Sequence, residues 1–253
     1  MIVIPMAGLS SRFQRAGYDR PKWMLPLADR PLFDWSLLGF SSQFATEPFL
    51  IVFREGPGVE EFVRARAEFL GIANCRFVAL AEPTRGQADT VALGINHVEV
   101  SNDEPLTIFN IDTIRPGYSA TVDQGDGWIE CFHGEGDHWS FVRPVAGSPD
   151  RAQEVAEKVR ISSLCSTGMY TFRTAALFRE ALALEIAAPS ANEWFVAPLY
   201  QRLIEKGRDI RFGVIGPDEI FFSGTPAEYE ATRKIEDSVS AQFTPTPTFP
   251  SGA

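Results

Sequence analysis

Gly8, Ser10, Ser11, Arg12 and, ten residues further on, Lys22 have the types and spacing of an anion cradle. With Ala7 they follow an apolar stretch at 2–5 that reads as a buried strand. A small-residue loop after a parallel strand turns backbone N–H groups toward an anion without side chains in the way. The serine hydroxyls add donors, and the two cations suit a polyphosphate. A structural turn followed by surface charges fits the same residues, and the strand and loop alone do not separate these readings.

A second set lies at 108–113, where an apolar run ends in Asn110-Ile111-Asp112-Thr113. A carboxylate at a strand end is half of a magnesium site, because this ion keeps several waters and binds one or two carboxylates plus substrate phosphates. A turn-capping aspartate is the plainer alternative. Asp103 and Glu104 precede the same run and are expected at its opposite end. At 86–90, Gly86 and Ala88 open a predicted helix and would leave room for a flat base. Glu157-Lys158 reads by itself as a solvated charge pair, and Asn192 as the N-cap of a helix. His97, His133 and His138 have no ligand spacing, and Ser10 and Ser11 lack the partners of a hydrolase triad.

The elements that must position these residues alternate through the first half. Strands are predicted at 2–5, 49–53, 76–80 and 106–110, and helices at 31–44, 59–70 (ending at Gly71) and 87–97. Alternating units of this kind form a parallel sheet with helices on both faces, and ligands then lie beyond the carboxyl ends of the strands. The second half differs. Strands at 128–132 and 139–144 are expected to pair around a turn at 134–137, followed by a strand at 167–172. Helices are predicted at 175–183 and 192–206, short strands at 211–215 and 220–222, and a last helix at 226–237. The Ser/Thr/Pro-rich stretch 238–253 is expected to be a flexible tail.

At 253 residues and 45% hydrophobic content the chain suits one large domain or two small ones. Its formal net charge of −10 argues against a nucleic-acid partner, because phosphate-backbone binding needs a basic surface. Cys75, Cys131 and Cys165 show no metal-type spacing, which fits a reduced cytoplasmic protein. The N-terminus lacks the basic segment of a signal peptide, and no apolar run approaches the roughly 20 residues needed to span a bilayer, so no membrane partner is expected. A homo-oligomer stays open.

In order, the strand, Ala7-Gly8-Leu9-Ser10-Ser11-Arg12 and Pro21-Lys22-Trp23-Met24-Leu25-Pro26 resemble the N-terminal signature of the sugar-phosphate nucleotidyltransferases, the NDP-sugar pyrophosphorylase-like family. Pro5-Met6-Ala7-Gly8, Ser11-Arg12-Phe13, Gly17-Tyr18 and Pro21-Lys22 resemble its capsular-polysaccharide-biosynthesis branch, and the likeness runs over roughly residues 2–237. It implies an α/β fold: a doubly wound, mostly parallel, Rossmann-like sheet with a mixed substrate-binding lobe. It also implies one domain, 1–237, with a nucleotide-binding half to about 115 and an acceptor-binding half from about 116. The implied reaction joins a nucleoside triphosphate to a phosphorylated sugar or other small molecule and releases pyrophosphate with Mg2+, or Mn2+, as cofactor.

The resemblance implies roles residue by residue. Arg12 and Lys22 are catalytic phosphate contacts. Ala7, Gly8, Ser10, Ser11, Gly86 and Gln87 bind the nucleotide, and Asp112 binds the metal. Lys158, Gly168, Asn192 and Glu193 face the acceptor. Phe221-Phe222-Ser223-Gly224-Thr225-Pro226 departs from the family's D-x-G-T-P: Phe222 stands where a second metal-binding aspartate is expected, with Asp218 and Glu219 nearby in sequence. Two other readings stay open, a GT-A-type glycosyltransferase, for which Asn110-Ile111-Asp112 would have to serve as D-x-D, and a non-catalytic nucleotide-binding relative. The base (CTP, UTP or dTTP) and the acceptor are not legible.

Overall fold

The computed structural model describes residues 1–118 and 125–243. Among these, nine strands build one sheet: β1 (Ile2–Met6), β2 (Phe49–Arg54), β3 (Cys75–Leu80), β4 (Leu106–Ile108), β5 (Gly127–His133), β6 (Ser140–Pro144), β7 (Ala152–Glu157), β8 (Leu164–Phe172) and β9 (Ile210–Val214). The helices are α1 (Ser11–Arg15), α2 (Leu32–Leu38), α3 (Val59–Leu70), α4 (Gln87–His97), α5 (Ala175–Ala187), α6 (Ala197–Glu205), α7 (Pro226–Arg233) and α8 (Glu236–Ala241).

The sheet has the order β7-β6-β8-β4-β1-β2-β3, with β5 pairing β8 and β9 pairing β5. Strands β3, β2, β1 and β4 are mutually parallel, as the βα alternation predicts. Strand β8 enters antiparallel beside β4 and carries the second half of the chain onto the same sheet. Side chains of the buried strands alternate between two cores, as a sheet covered on both faces requires. Val3, Leu50 and Val52 join Val91 and Ile95 of α4, Phe178 of α5 and Leu199 of α6. Ile2, Ile4, Phe49 and Ile51 join Phe33 of α2 and Val63 of α3 on the other face. The architecture is therefore α/β with helices on both sides of a large sheet.

Three elements depart from their sequence signals. The helix expected at 31–44 stops at Leu38, and Phe40 and Phe44 turn into the core against Phe49 and Phe109. The strands expected to pair around 134–137 do not pair with each other; β8 lies between them, bonded to β5 on one side and β6 on the other. The hairpin that does form joins β6 and β7, and β7 was not anticipated. The helix expected at 226–237 divides into α7 and α8, and α8 covers part of the predicted tail. Val239 is fully buried and Phe243 packs on Trp35 at 5.3 Å, so this polar-looking segment buries an apolar edge. The remainder of the predicted tail, 244–253, lies outside the described residues. Among the described residues, no helix is long and apolar enough to cross a membrane.

Candidate active site

A cleft of about 730 Å³ opens beyond the carboxyl ends of β1 and β4 and reaches across to the end of β7. Such a volume suits small-molecule substrates. Ala7, Gly8, Ser11, Arg12, Lys22, Gly86, Gln87, Asp112, Lys158, Gly168 and Glu193 line it; among the predicted site residues Ser10 and Asn192 do not. One wall thus gathers residues more than a hundred positions apart in the chain.

The N-terminal loop is shaped by Ser10, whose φ of 50° is left-handed and turns the chain into α1. Its hydroxyl was expected at a phosphate, but it accepts a hydrogen bond from the Lys22 N–H at 3.3 Å and so ties the loop to the Pro-Lys segment. Trp23, buried and 5.5 Å from Phe62, anchors that segment. Arg12 is exposed at the cleft and forms no ion pair among the described residues. The Lys22 ammonium donates to Asp112 Oδ2, with both side chains about one-fifth exposed. The lysine charge offsets that of the partly buried carboxylate.

Asp112 is held from behind. The Ser223 N–H donates to its carbonyl at 2.8 Å, and Thr113–Ile114 pair antiparallel with Phe221–Phe222. Asn110, two residues earlier, accepts from the Gln87 side-chain amide. Gly168 sits in a bulge of β8 with φ +89°, and a Cβ there would collide with the Asn110 amide. Gly86 has φ +147°, and its missing side chain is explained by protein: a Cβ would meet the Trp194 carbonyl at 2.6 Å. Ala88 is wholly buried in the core. Trp194 thus fills the direction that a Gly86 side chain would take, and Gly86 and Gln87 face the open cleft.

Lys158 follows β7 at the far side, half exposed, with its ammonium 4.0 Å above the Phe195 ring and 3.7 Å from Glu157 Oε1. Burial raises the pKa of the Glu157 carboxyl, while a hydrogen bond from the Ser140 hydroxyl opposes that shift. The helix expected at 192–206 begins only at Ala197, so Asn192 caps no helix among the described residues and stays exposed. Trp194 prevents an earlier start, because its N–H donates to the Arg85 carbonyl and its carbonyl accepts from the Ala88 N–H, both at 2.9 Å. Pro198 presets the first helical turn instead.

Phe222 joins an aromatic cluster, 4.6 Å from Trp139 and 5.1 Å from Phe132. The carboxylates nearest to it in sequence do not reach the cleft. Glu219 accepts from the Gly216 N–H and lies 3.7 Å from Arg115. Glu104 pairs with the N-terminal ammonium at 3.1 Å, at the opposite end of the sheet as expected. Asn110, named in the motif that ends at Asp112, lines the cleft, as do Trp139 and Glu228, for which no site role was expected. For Glu228 a signal existed: Thr225-x-x-Glu228 spells a capping box.

No protein-family model and no curated protein matches the chain. Solved structures do. The nucleoside-diphosphate-sugar pyrophosphorylase from Vibrio cholerae RC9 is 42% identical, covering 92% of this chain and 100% of its own, with a TM-score of 0.88. The inositol-1-phosphate CTP transferase from T. maritima is 15% identical, covering 97% and 96%, with a TM-score of 0.76. A UDP-glucose pyrophosphorylase from Acinetobacter baumannii is 17% identical, covering 92% and 91%, with a TM-score of 0.64. The latter two share the fold, whereas the first shares two residues in five over its whole length. That likeness and the cleft agree: the chain belongs to the nucleoside-diphosphate-sugar pyrophosphorylases, which are nucleotidyltransferases.

Proposed function

We propose that the enzyme couples a nucleoside triphosphate (CTP, UTP or dTTP) to a sugar 1-phosphate or another phosphorylated small molecule, releasing pyrophosphate. The motif likeness at 5–22 suggests that the product feeds surface-polysaccharide synthesis. One observation carries the reading: a single cleft holds cations at both ends, Arg12 and Lys22 by β1 and Lys158 by β7. Three strands separate β1 from β7, roughly 20 Å of sheet, which leaves room for two substrates side by side.

A phosphate oxygen of the acceptor attacks the α-phosphorus and pyrophosphate leaves in line. A phosphate monoester is largely ionised near neutral pH, so no general base is required. Positioning and charge stabilisation then carry the catalysis. Lys22 holds the α-phosphoryl oxygen, Arg12 the departing pyrophosphate and Lys158 the acceptor phosphate. Ala7, Gly8 and Ser11 offer the small-residue loop, Gly86 and Gln87 contact the base, and Gly168 and Glu193 border the acceptor.

The donor set fits a hard cation, since Asp112 already faces the cleft with an ammonium on its oxygen. Mg2+ or Mn2+ held by Asp112 would neutralise phosphate charge. The test is a matrix of CTP, UTP, dTTP, ATP and GTP against phosphorylated acceptors, with pyrophosphate detection. We expect one triphosphate and acceptor pair to release pyrophosphate. Triphosphate binding with no release over the whole panel would contradict the reading.

A further inference from the structure

We propose that Glu228 is the second protein carboxylate toward the divalent cation, in place of the acid that Phe222 cannot supply. The proposal rests on the nucleotidyl-transfer reading of this cleft. Phe222 lines the cleft against the rings of Trp139 and Phe132 and offers no metal-binding atom. The loop after it is fastened to Asp112 by the Ser223 N–H. Gly224 then brings two acids to one point: a Cβ there would lie 2.9 Å from Asp112 Oδ2 and 3.4 Å from Glu228 Oε2. A side chain at Gly224 would crowd both carboxylates. Both line the cleft, and they come from different elements, the turn after β4 and the first turn of α7.

Asp112 Oδ2 already accepts from one cationic group, the Lys22 ammonium. Glu228 has capacity to spare. Its Oε2 accepts one hydrogen bond, from the Thr225 N–H at 2.8 Å, whereas an ionised carboxylate offers about four acceptor sites. Two carboxylates plus substrate phosphates and waters are what Mg2+ uses. Among the described residues no cluster of three or more metal-binding side chains exists, so the protein's share of the site is these two carboxylates.

The plain alternative is that Glu228 only caps α7. Glu228→Gln separates the two roles, because glutamine keeps the capping acceptor but loses the charge. Mn2+ binding to the full-length protein, counted by electron paramagnetic resonance, is compared among wild type, Asp112→Asn and Glu228→Gln, with thermal melting of each. We expect both variants to bind Mn2+ about tenfold or more weakly, with Glu228→Gln melting like wild type. Mn2+ affinity of Glu228→Gln within twofold of wild type overturns the proposal. If Asp112→Asn alone weakens binding, Glu228 is a cap and the nucleotidyl-transfer reading stands. If neither does, or wild type binds no Mn2+, the metal role of Asp112 falls with it.

Discussion

A lysine ammonium resting on a carboxylate is both a structural contact and a reserve of charge. Lys22 and Asp112 are 90 residues apart, yet each is positioned by its own local device, the Ser10 hydroxyl for one and the Ser223 N–H for the other. On the proposed mechanism the lysine must exchange some of this contact for an α-phosphoryl oxygen. Lys22→Ala should therefore lower kcat by about 100-fold or more, the scale for loss of one preorganised charge contact. Steady-state pyrophosphate release checks it, and near-normal turnover would remove Lys22 from the reaction. Both residues were legible because each sits in an ordered motif. The sequence around Glu228 signals only a capping box, because its place beside Asp112 depends on a close approach at Gly224 that no local pattern encodes.

Among the elements, β8 decides how the acceptor side is built. It lies antiparallel to β4, β5 and β6, and its bulge at Gly168 faces Asn110. Gly168→Ala adds left-handed strain and a side chain where the Asn110 amide lies. The expected loss is about 2–4 kcal/mol of stability, combining the two costs. Urea unfolding measures it, and a loss below about 1 kcal/mol would show that the bulge relaxes freely. Elements with complete local signals were read correctly: the spans 59–70 and 87–97 are α3 and α4. The pairing of β5 and β6 was misread because a turn-like stretch between two apolar runs cannot reveal a third strand inserted between them. The start of α6 was misread for a related reason, since Trp194 is held by a loop a hundred residues earlier.

For the whole molecule, one sheet joins a parallel half that sequence alternation announced and a mixed half whose order comes from long-range pairing. The net charge of −10 does not carry into the cleft, where Arg12, Lys22, Arg85 and Lys158 balance Asp112, Glu157, Glu193 and Glu228. The α/β layering could be foreseen from the sequence, and the aromatic wall around Phe222 could not. The most direct test of nucleotidyl transfer is phosphorus-31 NMR of the working enzyme with its triphosphate and phosphorylated acceptor. The spectrum should show pyrophosphate rising in step with a new diphosphate that contains the α-phosphorus and the acceptor phosphorus as coupled neighbours. Release of a nucleoside diphosphate, or of inorganic phosphate with the acceptor unchanged, would contradict the assignment.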